Sequence, residues 1–330
     1  MTQTQPLHAY SPLASVIRSG FTESVHYGSI IALDRKGHTV LSLGPVEDAV
    51  LPRSTVKPVQ ALSCLEAGAD LDAEELAIAA GSHTGEDAHL RVVGNILRRA
   101  GLDESALQCP ADRPEDEATY ENMIRRGEPR RPLRMNCSGK HAAMLLACSA
   151  NGWSTENYLD PEHPLQRRIR TTMETTTGVQ ASNEATDGCG APLFSTTIRG
   201  LATAFRTLVL ADPATPQGRI SAAMRQNPFY VGGTGHQNST LMENMPGVLA
   251  KGGAEGVIAV AAPDGSAVSM KVIDGSPRAT TLLAIHVLEM LGHDTHGARS
   301  LSEVAVLGGG HSVGSIKPSP AIGKAIRLAL

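Results

Sequence analysis

The chain has 330 residues, 41% of them hydrophobic, enough to bury a large core in one large domain or two lobes. Its net charge of −4, with no basic block visible along the chain, gives no basis for neutralising a nucleic-acid backbone, and 3% aromatic content leaves no stacking platform for bases or sugars. Five cysteines, an odd and sparse set, argue against a disulfide framework; with no signal-peptide pattern and no apolar run near the roughly 18 residues of a membrane span, a soluble cytoplasmic protein is expected.

In chain order, residues 28–42 read as two strands around a Lys36-Gly37 turn. Residues 54–67 predict a helix that stops at Gly68, with Leu62 and Leu65 on one face. Asp72 and Glu75 have capping-box spacing ahead of an apolar run to Ala80. Residues 81–86 form a tight turn between two helices, with Thr84 and Asp87 capping the second, whose apolar stripe is Leu90, Val93 and Leu97. Residues 103–134, rich in charge and proline, read as a surface excursion, and 163–176 and 192–210 as further helices. Residues 257–273 repeat the hairpin pattern around Pro263-Asp264-Gly265, followed by a helix over 278–291. Strands, many helices, strands and a last helix make an α+β protein. The helical lobe, about 61–244, is inserted into an antiparallel sheet lobe of about 1–60 and 245–330.

Four segments carry chemistry. Ser54 and Lys57 are three residues apart at a helix start, so their side chains share a face; a desolvated lysine amine can take the proton that makes a serine hydroxyl nucleophilic. The plainer alternative is an N-cap serine and a solvated lysine. Ser82 lies between Gly81 and Gly85, placed to project from its turn, although capping chemistry alone would explain the same residues. Cys137, Lys140 and His141 precede the apolar run 142–147, and Cys189 follows later between two glycines. Such donors suit a soft cation, but two separated thiols are equally read as small buried side chains. Lys251 precedes the first strand of the late hairpin and Lys271 lies in its second strand, where alternation puts it on a face with Ser269 and Ile273. The glycine run 308–310 leads to Lys317-Pro318 rather than a helix, which removes a dinucleotide fingerprint.

Together the segments RSTVK (53–57), GSHTGE (81–86), NCSGKHAAML (136–145), HPLQ (163–166), DGCGAP (187–192), GGAEGV (252–257) and MKVIDG (270–275) resemble the Rhizobium-type, inducible and thermolabile, L-asparaginase family. The resemblance implies a fold like the serine β-lactamases, transpeptidases and bacterial glutaminases. It implies conversion of L-asparagine and water to L-aspartate and ammonia through two Ser-Lys pairs, Ser54 with Lys57 and Ser82 with Lys271. It further implies one zinc ion held by Cys137, Lys140 and Cys189, substrate-side positions at Arg53, Asp187 and His141, and a homodimer. The segment Gly233–Ser239 departs from the family's usual GTGRFDT, replacing an arginine and an aspartate with neutral groups. A glutaminase, a β-lactamase-like amidase or esterase, and a zinc-binding protein without activity are the competing expectations.

Overall fold

The computed structural model describes residues 6–329. The chain divides into a sheet unit (residues 1–55, 196–210 and 244–330) and a helical unit (56–195 and 211–243). In chain order the strands are β1 Ser11–Arg18, β2 Phe21–Leu33, β3 Thr39–Leu43, the short β4 Glu184–Thr186 and β5 Pro192–Phe194, β6 Leu249–Gly253, β7 Val257–Ala261, β8 Ala267–Val272, β9 Ala305–Gly308 and β10 His311–Pro318.

The sheet unit is built on one antiparallel sheet in the order β6-β7-β8-β2-β1-β10-β9, with β3 also on β2. The 13-residue β2 serves two neighbourhoods. Its first half pairs with β1, and its second half lies between β8 (Ile30 opposite Met270) and β3 (Ile30 opposite Leu43). Residues Ile30, Ile31, Ala32 and Leu33 are buried without alternation, as a strand covered on both faces requires. Both expected hairpins form, with positive φ at Gly37 and Gly265 in their turns. β1, β9 and β10 were not anticipated. Their sequences, SPLASVIR, AVLG and HSVGSIKP, are too short or too polar to show a period.

Helix Ile198–Leu210 lies against β2, β7 and β8, with Leu201, Phe205 and Leu208 fully buried. It starts six residues later than the sequence reading placed it, because 192–194 pair as β5. It also groups with the sheet rather than with the helices, since its apolar face covers strands. Helix Thr280–Met290 packs on β7 and β8.

In the helical unit, helix Ser138–Asn151 is the centre. Helices Lys57–Glu66, Ala73–Ala79 and Asp87–Arg99 all pack on it, and its residues 138–148 are buried all round. Its only long hydrophilic side chain in that stretch is Lys140, next to His141, so the burial of two ionisable groups is the anomaly to be explained. The Asp72–Glu75 capping box is present in both directions, at 2.9 and 3.0 Å. The next helix is capped differently from expectation: His89 Nδ1 accepts from the Glu86 amide at 3.1 Å, while Thr84 donates its hydroxyl to Glu86. The 103–134 excursion contains helix Glu117–Arg125. Among the described residues no helix is long and apolar enough to cross a membrane.

Candidate active site

Lys57 opens helix Lys57–Glu66, directly after the single 3₁₀ turn Arg53–Val56, with Pro58 in the first turn where a missing N–H costs little. The lysine is completely buried. Its Nζ lies 2.7 Å from the Gly81 carbonyl, 2.8 Å from Ser82 Oγ and 3.5 Å from the Asn136 carbonyl. Three acceptors satisfy the three protons of an ammonium, which a buried charge demands. The same positions suit a neutral amine: two N–H groups on the carbonyls and a lone pair accepting the Ser82 hydroxyl proton. The site is therefore arranged to hold lysine in either state beside a serine oxygen.

The loop presenting Ser82 is pinned along its backbone. Ser82 N–H donates to the Val231 carbonyl at 2.8 Å and Thr84 N–H to Gly232 at 2.7 Å. A Cβ on Gly81 would fall 2.7 Å from the Tyr230 carbonyl, so that glycine is required by close approach, while Gly85 has φ +76°. Within this unit Lys57 contacts Ser82, whereas the sequence reading assigned Ser82 to Lys271. In the sheet unit, Lys271 Nζ donates to the carbonyls of Glu255 and Val272 at 2.6 and 2.5 Å. Burial lowers its pKa, against the opposing charges of Glu255 and Asp274. Arg53 adopts φ +49°, a left-handed backbone that is uncommon outside glycine, and stands 3.9 Å from Glu255. Ser54 follows it, half-buried.

Cys137, Lys140 and Cys189 do converge. Cys137 and Lys140 occupy the start of helix Ser138–Asn151. Cys189 comes from the loop of the β4–β5 hairpin, closed by Gly190 at φ +87°. Lys140 Nζ donates to Cys189 Sγ at 3.1 Å, and Asp187 Oδ2 lies 3.9 Å from the same sulfur. Its interaction with Cys137 lowers the Cys189 pKa to about 5; burial opposes this and the Lys140 charge assists. Cys137 is pushed up to about 12 by its interaction with Cys189 and by burial. Burial works against the Lys140 ammonium, but the facing Cys189, Cys137 and Asp187 raise its pKa on balance.

His141 is fully buried. Its Nδ1 is 2.8 Å from the Tyr158 hydroxyl and its Nε2 has no partner. Burial, followed by the Lys140 charge, lowers its pKa to about 3, so the ring is neutral. His83 is a different case: Gly85 N–H donates to its Nδ1, its Nε2 lies 2.8 Å from Ser138 Oγ, and Ser138 donates to the Leu133 carbonyl. Those bonds fix the tautomer with the proton on Nε2 and make His83 a bracket between the Ser82 loop and the cysteine-bearing helix.

Asn136 joins the two clusters. Its carbonyl accepts from His83 N–H and Lys57, its Oδ1 accepts from the Cys137 thiol at 3.1 Å, and its amide donates to Glu115 at 2.7 Å. The sequence reading assigned no role to Asn136, His83 or Tyr158. Asn136 opens the segment NCSGK, but its function depends on contacts 21 to 79 residues away in sequence that no local pattern reveals.

Could the cysteine cluster hold a metal? Among the described residues no three His, Cys, Asp or Glu side chains form a metal-ligating group, so the set is complete only with the Lys140 amine. Tetrahedral zinc with ordinary Zn–S and Zn–N bonds has an N···S edge of about 3.6 Å. The 3.1 Å edge here needs to open by about half an ångström, a side-chain adjustment. One thiolate is already favoured, and the orphaned Nε2 of His141, in the residue after Lys140, is a polar atom awaiting a partner. The residues fit a zinc ion.

A lysine amine within hydrogen-bonding distance of a serine hydroxyl is one arrangement that can activate the hydroxyl as a nucleophile. The L-asparaginase II family profile matches residues 14–318. The chain belongs to that family and is an amidohydrolase. No curated protein sequence matches it. Similar solved structures include a β-lactamase from Mycobacterium bovis, at 14% identity and TM-score 0.45, covering 80% of this chain and 94% of that one. A Bacillus glutaminase is 12% identical with TM-score 0.36, covering 74% and 83%. An Aspergillus terreus simvastatin synthase mutant is 12% identical with TM-score 0.37, covering 74% and 86%.

Proposed function

We propose that the protein hydrolyses the side-chain amide of L-asparagine, giving L-aspartate and ammonia through a serine ester. The observation that carries this reading is the Lys57 amine, fully buried and 2.8 Å from Ser82 Oγ, in a chain of the L-asparaginase II family. In the mechanism, Ser54 attacks the amide carbon and Lys57, three residues on, takes its proton. Ser82 then carries a proton between Lys57 and the departing nitrogen, which must leave as ammonia, and Lys271, with its pKa lowered by burial, supports that transfer. Water then cleaves the ester by the same steps reversed. Arg53 is assigned to the substrate α-carboxylate and Asp187 to its α-ammonium, a charge pair matched to an amino-acid zwitterion.

Cys137, Lys140 and Cys189 are assigned to one zinc ion, a cation whose chemistry is to hold or polarise an oxygen of the substrate. His141, the residue after Lys140 and fixed by its bond to Tyr158, is assigned to the surroundings of the substrate and metal. Lys140 must lose its proton before it can donate a lone pair, which the charge of the metal would favour.

The Lys57–Ser82 bond also favours a second reading, in which Ser82 is the nucleophile and Ser54 the helper. Mass spectrometry after mixing with a slow substrate separates the two: the ester should form on Ser54 and persist in Ser82→Ala. An adduct on Ser82 in a Ser54→Ala protein that still turns over reverses the roles. Ammonia release from L-asparagine and L-glutamine, together with ring opening of a β-lactam, tests the substrate. Turnover of another amide with none of L-asparagine rejects the main proposal.

A further inference from the structure

The helical unit carries an arginine-lined groove of about 580 Å³ that no step of the proposed reaction uses. One wall is a single stripe of helix Asp87–Arg99: residues 87, 91, 94, 95 and 98 follow the i, i+4, i+7, i+8, i+11 spacing of one face. The other wall is the segment after helix Glu117–Arg125, where five of the ten residues 125–134 are arginine. The expectation of no basic block fails at this segment, which is itself a short basic run, and the fold brings its arginines together with those of the helix.

Arg91, Arg98, Arg126, Arg131 and Arg134 line the groove, against only Asp87 and Glu128. Arg131 has a partner outside it, Glu104, but two positive charges remain uncompensated by any carboxylate of the groove. Arg98 is bonded to the neutral Asn95 side chain. Glu128 is divided between Arg126 and Arg134, at 3.5 Å from each.

At the floor lies Arg134, with only 6% of its side chain exposed. Its Nη1 bonds the Gly85 carbonyl at 2.7 Å and Asp87 at 2.8 Å, while its buried Nε has no partner. A buried guanidinium with an unsatisfied N–H is costly unless another group completes its surroundings. Gly94 faces open space: a Cβ there would meet nothing but the Arg98 guanidinium, at 3.6 Å. Glycine inside a helix costs about 1 kcal/mol relative to alanine, so an open space is kept at this face against local preference.

We propose that this groove binds a small phosphorylated anion. Guanidinium forks match phosphoryl oxygens bidentately, and the absence of an aromatic lining residue argues for a phosphate or sugar phosphate over a base-bearing nucleotide. The floor residue Arg134 connects the groove to Gly85, in the loop that carries Ser82.

The test is calorimetric titration of the whole protein at constant ionic strength with inorganic phosphate and, separately, ribose 5-phosphate. Saturable one-site binding is expected, weakened about tenfold or more in Arg98→Ala/Arg126→Ala. It should be lost in Gly94→Met, which fills the groove with a better helix former and keeps the fold, as circular dichroism will verify. Equal affinity for both probes assigns the site to free phosphate, and tighter binding of the sugar phosphate assigns it to a metabolite. No saturable binding of either probe, or binding unchanged in all variants, overturns the proposal.

Discussion

At the residue scale the protein keeps three lysine amines inside the folded chain, Lys57, Lys140 and Lys251, and the first two are held in contrasting ways. Lys57 is surrounded by neutral acceptors, two carbonyls within hydrogen-bonding range and a serine hydroxyl, whereas Lys140 faces sulfur and carboxylate. Opposing anions hold the charge of Lys140, whereas Lys57 is the amine placed directly beside a serine oxygen. Lys57→Met should therefore remove the base while filling the same volume. Amide turnover is expected to fall about 10⁴-fold, as with other catalytic bases and nucleophiles. The check is steady-state ammonia release alongside a thermal melt. A folded Lys57→Met protein retaining a tenth of the wild-type rate would exclude Lys57 as base. For the second lysine the readout is metal. Cys189→Ser removes the most thiolate-like donor and should leave a folded protein with less than a tenth of the wild-type zinc content by elemental analysis; as-purified wild type without zinc would refute the assignment.

At the scale of elements, both clusters depend on how closely helices pack. A Cβ placed on Gly139 would lie 2.6 Å from the Ile78 carbonyl oxygen and 2.9 Å from its carbon, both backbone atoms of helix Ala73–Ala79. Backbone cannot swing aside as a side chain can, so Gly139→Ala must separate two helices. Overpacking of this kind costs about 1–3 kcal/mol, and the moved helix carries Lys140 and His141. Denaturant titration should show that loss, accompanied by weaker zinc retention; a stability equal to wild type would show that the contact is not tight. This dependence also explains what sequence could and could not disclose. The helices with clear punctuation were readable: Gly68 ends one, and Asp72 and Glu75 cap the next. So were the two hairpins, whose turns need positive φ at Gly37 and Gly265. The convergence of Cys137 and Lys140 with Cys189 came from resemblance, since two thiols 52 positions apart carry no spacing signal of their own. The Lys57–Ser82 bond was out of reach because helical spacing favours Ser54 as the partner, while the observed partner comes from a loop 25 residues on. Capping at Glu86 was misassigned to Thr84 because threonine is the commoner cap, and only the geometry shows the His89 ring accepting the Glu86 amide.

At the scale of the whole molecule, the two units should differ in their response to acid. The helical unit buries His83, whose pKa is driven well below its usual value by burial and then by His89 and Lys57. It also holds His89, lowered by burial against the opposing effects of Phe229, Glu86 and Asp116. In the sheet unit, His286 is lowered by burial and is only half-buried. The sign follows from linkage. Below about pH 6.5 an unfolded chain protonates these histidines while the folded chain does not, so unfolding takes up protons and stability falls as pH falls. For His83, fully buried, the loss is about 1.4 kcal/mol per pH unit below 6.5, continuing down to its depressed folded value. Carboxylate pairs titrate mainly below pH 5, which leaves the interval from 6.5 to 5 to the histidines and to Cys189, whose thiolate is favoured down to about pH 5 and adds a loss of the same sign. The single tryptophan, Trp153, belongs to the helical unit and reports on that unit alone. Urea titrations of metal-free protein should therefore show the Trp153 fluorescence midpoint dropping steadily from pH 7.5 to 5. Amide-exchange protection in strands Val257–Ala261 and Ala267–Val272 should decline less over the same range. A fluorescence midpoint constant across that interval would mean that His83 is not held neutral, and the bracket it forms between Gly85 and Ser138 would have to be redrawn.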